Sequence, residues 1–146
     1  MRKVLQRFNM QSTKPVGSTQ LISSKLSERQ CSKTKTEKAK ISKVPYASIV
    51  GSLMYVMVCT RSNIVYVVGV VHRYMSNPGR EHWVTVKWIL WYLRGTSTLY
   101  LQFGLGKPIL EGFTDSDMSA DVDTSQSTFG YVMTNAGGAV SWKSRL

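Results

Sequence analysis

Four aspartates in the C-terminal part of this 146-residue chain are its best candidates for chemistry. They are its only clustered carboxylates: Asp115, Asp117, Asp121 and Asp123. Oxygen ligands of this kind suit Mg²⁺ or Ca²⁺. An EF-hand loop starting at the first of them would place Ala120 where the sharp turn needs glycine and Gln126 where a bidentate glutamate belongs. The spacing therefore excludes a calcium-sensing loop.

A short apolar run precedes these carboxylates and could deliver one of them to a metal. Residues 109–114 have the composition of a β-strand, which would place Asp115 at the C-terminal end of that strand. There a carboxylate could bind a metal ion together with other elements of the fold. Acidic residues mixed with serine and threonine also commonly form a solvated turn. The residues alone leave the metal site and the solvated turn as alternatives.

Two histidines and three tryptophans give weaker signals. His72 and His82 lie on separate predicted helices without a cysteine or carboxylate at ligand spacing, which favours a surface role over metal binding. Trp83, Trp88 and Trp91 could stack on nucleic-acid bases. Their place within an apolar stripe favours helix packing instead.

The charge of the chain is strongly basic and unevenly distributed. The net charge is +11 at pH 7, and residues 1–45 hold eleven basic against two acidic side chains. Five lysines follow one another closely in this part: Lys33, Lys35, Lys38, Lys40 and Lys43. They could follow a phosphate backbone and bind nucleic acid with strong salt dependence. Because residues 9–43 are rich in Ser, Thr, Lys and Gln, the composition is also typical of a solvated linker.

Three helices are predicted between residues 45 and 95, which together would form a small bundle. The first begins after Pro45 and repeats apolar residues at helical spacing: Ile49, Leu53, Val56 and Met57. The second uses Thr60 as its cap and carries Ile64, Val67, Val68 and Val71. The third begins near Asn77 and Pro78, carries Trp83, Val86, Ile89, Leu90 and Leu93, and ends at Gly95.

After Gly95 the apolar period changes from helical spacing to two. Residues 99–103 alternate, and residues 109–114, 128–133 and 139–142 are predicted to be three strands of an antiparallel meander. The sequence therefore predicts an α+β fold, with a helical bundle first and an antiparallel sheet last.

Cysteine usage and hydropathy bear on the compartment of the protein. Cys31 and Cys59 are its only cysteines, and no secretory leader or paired metal-type cysteines are present. Reduced thiols and an intracellular location, in the cytoplasm or nucleus, are expected. The longest apolar passage, residues 49–71, is interrupted by Arg61, Ser62 and Asn63, which argues against a membrane span.

The order of several segments resembles a known family. The segments that carry the resemblance are residues 4–10, 44–55, 59–61, 76–83, 86–90, 92–96, 112–118 and 127–131. In this order and spacing they resemble the Pol polyproteins of Ty1/copia-type LTR retrotransposons, particularly plant TNT-like elements. The resemblance covers essentially the whole chain and is specific.

The resemblance implies a position within the polyprotein. Residues 1–44 would be a basic, linker-like end of the reverse transcriptase, residues 45–106 its helical connection region, and residues 107–146 the first part of an RNase H-like domain. By the same resemblance Asp115 is the first metal-binding carboxylate of RNase H, which acts with Mg²⁺ on RNA/DNA hybrids.

Two absences from the sequence bear on activity. The adjacent aspartates of the polymerase and the later RNase H carboxylates of the family do not occur in these 146 residues. The chain is therefore expected to be inactive by itself, to bind no Mg²⁺ tightly, and to bind nucleic acid weakly and without sequence preference. A non-enzymatic basic nucleic-acid-binding module and a non-functional gene remnant remain as alternatives.

Overall fold

A computed structural model describes residues 1–17, 26–104, 106–117 and 121–145. The helices are α1 (Arg2–Arg7), α2 (Lys35–Ile41), α3 (Tyr46–Thr60), α4 (Val65–Arg73) and α5 (Arg80–Gly95). The strands are β1 (Leu110–Asp117), β2 (Thr128–Asn135) and β3 (Gly138–Arg145). The predicted α+β class is confirmed. The assignment of its two parts to a reverse transcriptase connection and an RNase H-like domain remains a prediction.

The core lies between α3, α4 and α5. Each helix turns the apolar face predicted from its sequence toward the other two. Most members of these faces are almost completely buried, whereas Met57 and Trp83 are half-buried. The buried members include Ile49, Leu53 and Val56 of α3, Val67, Val68 and Val71 of α4, and Val86, Ile89, Leu90 and Leu93 of α5. Burial of each such side chain contributes about 1.5 to 3 kcal/mol, so these helices form the most stable part of the molecule.

The break between α3 and α4 differs from the sequence prediction. Thr60 is the last residue of α3, and its hydroxyl donates to the Val56 carbonyl (3.2 Å) instead of capping the next helix. A threonine hydroxyl within a helix commonly bonds to the preceding turn in this way. A short 3-10 turn, Ser62–Ile64, then leads into α4. The predicted cap was therefore wrong, although both helices were correctly predicted.

Arg61, in the same break, connects α3 to the end of α5. Its guanidinium donates to the carbonyl oxygens of Thr96 and Leu99, the second at 2.8 Å. These carbonyls belong to the turn that follows α5, and the Thr96 carbonyl also accepts from the Leu99 amide (3.0 Å). A cation is also favourable at this negative end of the helix dipole.

His82 is not on the surface, contrary to the sequence prediction. Its side chain is completely buried and stacks on Tyr74 with ring centroids 4.1 Å apart. Nδ1 accepts a hydrogen bond from the Gly79 amide (2.8 Å), so the ring satisfies a free N–H at the start of α5. Burial lowers the pKa of His82, which keeps the imidazole neutral. His72 is exposed, as predicted.

The basic N-terminal part contains a helix that its linker-like composition did not predict. Thr34 and Glu37 form a reciprocal cap at the start of α2: the hydroxyl accepts from the Glu37 amide (3.2 Å), and the Glu37 carboxylate accepts from the Thr34 amide (3.1 Å). No residue of α2 is buried. Local capping therefore defines this helix, and apolar periodicity could not reveal it.

The sheet is the predicted antiparallel meander, in the order β1-β2-β3. Each predicted strand is present and is longer than predicted. β2 and β3 are joined by the two-residue turn Ala136 and Gly137, both with positive φ (51° and 80°). Positive φ at both positions matches the right-handed twist of a hairpin, and glycine adopts it without strain. Residues 99–103 alternate in sequence but form no strand.

The sheet is poorly covered. The indole Nε1 of Trp142 on β3 donates to the Met57 carbonyl of α3 (2.8 Å), which attaches one face to the helices. Large apolar side chains elsewhere in the sheet remain exposed, with 59% of Phe113, 51% of Phe129 and 47% of Val140 accessible to solvent. The sheet therefore gains much less from burial than the helices do.

No single helix in the described ranges is long and apolar enough to cross a membrane. The helices α2 and α3 meet the length and composition requirement only as a pair, which is bent by 50° between them.

The difference in burial predicts a difference in local stability. Residues 110–145 should exchange their amide hydrogens much faster than residues 80–95, because β1 is exposed along its described side chains whereas α5 is central to the core. Hydrogen exchange followed by mass spectrometry measures both segments in one sample. Equal protection of the sheet and α5 would contradict this prediction.

Candidate functional site

Asp115 lies on the face of the sheet that is turned toward the helices. It is exposed on β1, opposite Gly130 of β2. Alternation along the strand places it on the same face as Phe113, whose neighbours across the sheet are Val132 and Trp142. Asp115 lines a groove of about 430 Å³ between the sheet and the turn that precedes α4.

Asp121 does not point toward this groove but binds the helices. It is 4% exposed and forms an ion pair with Arg73 of α4 (2.8 Å). The backbone amide of Thr124 also donates to it (3.0 Å). Burial raises the pKa of Asp121, but the hydrogen bonds from Thr124 and Arg73 outweigh this effect and lower the pKa to about 2. The carboxylate is therefore charged and fully engaged.

Asp123 makes a second attachment to the helices. Its carboxylate accepts hydrogen bonds from the Glu28 amide (2.8 Å) and from the Tyr74 hydroxyl (2.9 Å). Burial, assisted by this hydrogen bond, raises the pKa of Tyr74. We refer to Asp121 and Asp123 together as the loop anchor, because they fix the segment between β1 and β2 to α4 and to the N-terminal part of the chain.

The four predicted carboxylates therefore do not converge on one point. Asp115 faces the groove, whereas the loop anchor binds the helices. Within the described ranges no three His, Cys, Asp or Glu residues are close enough to hold a metal ion. Residues 118–120 and the side chain of Asp117 lie outside what the structure describes. The metal-binding role of Asp115 remains a prediction, and the solvated-turn alternative does not describe Asp121, which is buried.

The five predicted lysines do not form a single stripe. All are exposed, and Lys35, Lys38 and Lys40 lie on α2. Lys35 and Lys38 are three residues apart and share a face, whereas Lys38 and Lys40 are separated by about 200° around the helix. Lys33 precedes α2 and Lys43 follows it. Helical geometry therefore directs the lysines to different sides.

Two of the lysines meet other basic residues in a groove. The groove has a volume of about 700 Å³, lies between α2 and the start of α5, and is lined by four basic side chains: Arg29, Lys33, Lys40 and Arg80. Glu37 and Glu81 also line it, which leaves an excess of two positive charges. Hydrogen bonds from the Thr34 and Lys33 amides lower the pKa of Glu37 and hold its carboxylate at the start of α2. We refer to this feature as the basic groove.

An aromatic stripe runs from the basic groove along α5. Trp83 lines the groove, and Lys87 and Trp91 follow at intervals of four residues. The Lys87 ammonium lies 5.9 Å and 6.0 Å from the ring centroids of Trp83 and Trp91. Trp83 and Trp88 also pack partly against the core, as the helix-packing interpretation predicted. Trp83 therefore packs partly against the core and also lines the basic groove.

Sequence reasoning missed the two arginines of the basic groove. Arg29 is flanked by residues that resemble a linker, and Arg80 begins α5, 51 positions farther along the chain. The only signal available was the helix start after Pro78 and Gly79, which marks Arg80 as exposed at a helix terminus. Their proximity depends on the tertiary fold.

Comparison with known proteins now places the chain in a family. It is 53% identical over all 146 residues to the retrovirus-related Pol polyprotein from transposon TNT 1-94 of Nicotiana tabacum. It is also 32% identical over 143 residues to the corresponding polyprotein from transposon RE2 of Arabidopsis thaliana. The chain belongs to the Pol polyproteins of Ty1/copia-type retrotransposons. No family model and no solved structure matches it.

This Pol-related chain corresponds to only part of the polyproteins that it matches. It spans 11% of the length of the tobacco polyprotein and 9% of the RE2 polyprotein. A third relative, secreted RxLR effector protein 161 of Plasmopara viticola, is 43% identical over 103 residues, which are 70% of this chain and 72% of the effector. The same stretch of Pol sequence therefore also makes up most of a much shorter protein.

The loop anchor leads to a prediction about stability and pH. Replacing Asp121 by Asn should lower the free energy of unfolding by about 2 kcal/mol, because it removes charged hydrogen bonds from a buried site. The folded pKa of about 2 lies below the ordinary value of 3.8. The stabilisation should therefore be present above about pH 4 and be lost as the pH falls toward 2.

Urea unfolding of the wild type and Asp121→Asn at about pH 7 and about pH 3 measures this effect. Asp115→Asn is the matched control, since the same charge is removed from an exposed strand position, and it should change stability by less than about 0.5 kcal/mol. Equal destabilisation by both substitutions would show that the loop anchor has no special role.

Proposed function

We propose that this chain is a nucleic-acid-binding, non-catalytic part of the reverse transcriptase and RNase H region of a Ty1/copia-type Pol polyprotein. The observation that carries the binding function is the basic groove, where four basic side chains surround an exposed cavity next to Trp83. RNA/DNA hybrid or another nucleic acid is the partner, bound weakly and without sequence preference.

The charge of the basic groove supports binding to the backbone of nucleic acid. Each phosphate neutralised by lysine or arginine releases condensed counterions, which gives affinity without base recognition. The groove brings together positive charges from two separate segments, residues 29–40 and the start of α5. An excess of two charges on the groove is modest, so the affinity should be low and strongly dependent on salt.

Trp83 supplies a second mode of contact. Its half-buried ring lines the basic groove, and Lys87 lies over the same ring. Stacking of a base on an aromatic ring is tolerant of sequence because every base has a π face. A single-stranded end or an unpaired base could therefore use Trp83, while a duplex would use the basic side chains alone.

The position within Pol is supported by the family resemblance and by the 53% identity to the tobacco polyprotein over the whole chain. By that resemblance Asp115 corresponds to an RNase H carboxylate that holds Mg²⁺ in the intact enzyme. The described residues do not fit such a site, because the loop anchor is engaged with Arg73, Tyr74 and Glu28. We therefore propose no catalytic step for this chain.

The effector from Plasmopara viticola is consistent with a role for the stretch outside a full-length polyprotein. The aligned 103 residues are 72% of the effector. A stretch of this length has the size of an independent unit.

The salt dependence of nucleic-acid binding tests whether the basic groove is the binding site or whether the overall positive charge of the chain is sufficient. The double variant Lys33→Gln, Lys40→Gln should reduce the slope of log K against log salt by about 1 to 2, as two phosphate contacts are lost. The matched control is Lys35→Gln, Lys38→Gln, which removes the same charge from the other side of α2 and should change the slope less. Fluorescence anisotropy with a labelled RNA/DNA hybrid measures both; equal slopes for the two variants would contradict the groove as the site.

Hydrolysis of a labelled RNA/DNA hybrid tests the catalytic assignment. The 146-residue chain should show no cleavage with Mg²⁺, because two-metal hydrolysis needs several carboxylates around ions about 4 Å apart. Fusion to a family-like segment that supplies the missing carboxylates should restore hybrid-specific cleavage, and Asp115→Asn should abolish it. Cleavage by the chain alone that is lost with Asp115→Asn would contradict inactivity, and cleavage by the fusion that survives the substitution would contradict the role of Asp115.

A further inference from the structure

Arg61 is a buried cation with an incompletely satisfied side chain. Only 7% of the residue is exposed, and its Nε–H has no acceptor within the described ranges. Its other contacts are two backbone carbonyls, of Thr96 and Leu99, and the thioether of Met1 (3.7 Å). The ion pair found among the described residues is that of Arg73 and Asp121, so Arg61 lacks a carboxylate partner there. Burial lowers its pKa, yet a guanidinium stays protonated in proteins.

The end of α5 compensates this charge only in part. A helix C-terminus carries about half a negative elementary charge, and the two carbonyl contacts of Arg61 lie at that end. Burying an unpaired charge is unfavourable unless a counterion or further hydrogen bonds satisfy it. The position of Arg61 therefore retains positive potential, which favours an anion.

Arg61 lines a cavity whose other walls are mainly apolar. The cavity has a volume of about 600 Å³ and lies between the end of α3, residues 99–103 and β3. Its apolar side chains are Val58, Leu99, Leu101, Phe103, Val140 and Trp142. Several of them are exposed to an extent that is unusual for their type, with 66% of Val58 and 60% of Leu99 accessible to solvent. The size falls within the range of small-molecule sites, which combine an apolar lining with a few polar groups.

We propose that this cavity binds a small monocarboxylate with an apolar tail, such as a medium-chain fatty acid. The carboxylate accepts hydrogen bonds from the Arg61 guanidinium, and the tail covers the apolar side chains of α3 and β3. A cation would be repelled by Arg61. A compact multivalent anion such as phosphate would leave the apolar walls uncovered, so an amphipathic carboxylate matches both halves of the cavity.

Decanoate and decanol form the matched pair of probes, because they share the alkyl chain and differ in the charged group. Decanoate, used below its micellar concentration, should shift the indole N–H resonance of Trp142, whose Nε1 is held by the Met57 carbonyl. It should bind at least about tenfold more tightly than decanol, the ratio expected for a charged hydrogen bond. Absence of decanoate binding, or equal affinity for decanol, overturns the proposal.

Substitutions locate the site without relying on Arg61 alone. Arg61→Gln should remove the preference for decanoate over decanol, but it could also unfold the end of α5.

Val58→Glu avoids this difficulty, since the residue is exposed and lines the cavity. The added carboxylate should weaken decanoate binding about fivefold or more by repulsion. Phe129→Glu, exposed on the other face of the sheet, is the control and should leave the affinity unchanged. Equal weakening by both substitutions overturns the assignment.

Discussion

The packing of α3 against α4 and α5 removes a continuous group of valine, isoleucine and leucine side chains from water, and the rest of the molecule is attached to this group. His82 and Tyr74 extend it by stacking, and Arg61 fixes its end to the carbonyls that follow α5. If the helices no longer packed together, neither of the two surfaces to which we assign binding would keep its shape. The start of α5 forms one wall of the basic groove, and the end of α3 forms one wall of the cavity beside Arg61.

The sheet depends on the helices more than the helices depend on the sheet. Its strands pair along their lengths, with one register shift between β2 and β3 at Val140, but its apolar side chains are poorly covered. A three-stranded sheet needs a buried face to be stable in water, and here the attachment consists of Trp142 and the loop anchor. The electrostatic attachment also has a chemical consequence. Carboxylates that hold the loop to Arg73 and Tyr74 are not available as ligands beside Asp115.

In the basic groove, positive charges from separate parts of the chain are brought together by the fold, although they are not consecutive in the sequence. The run of lysines in residues 33–43 predicts a basic surface, yet the helical geometry of α2 separates its members. Lys33 and Lys40 line the groove together with Arg29 and Arg80, which come from other parts of the chain.

The sequence by itself determined the α+β class, the three core helices and the three strands. Apolar residues repeat at helical spacing in residues 49–93 and at a spacing of two in the strands. This repeat predicts the elements because each of them buries one apolar face. It also determined the family, through the order of its motifs. Only the tertiary structure decided the roles of single polar residues. His82 is buried where its Nδ1 accepts from an amide at the start of α5, and Asp121 is buried where Arg73 lies opposite. The helix α2, by contrast, is defined by the local cap of Thr34 and Glu37, which a search for apolar periodicity overlooks. These outcomes depend on partners distant in sequence or on individual hydrogen bonds, which no periodic pattern records.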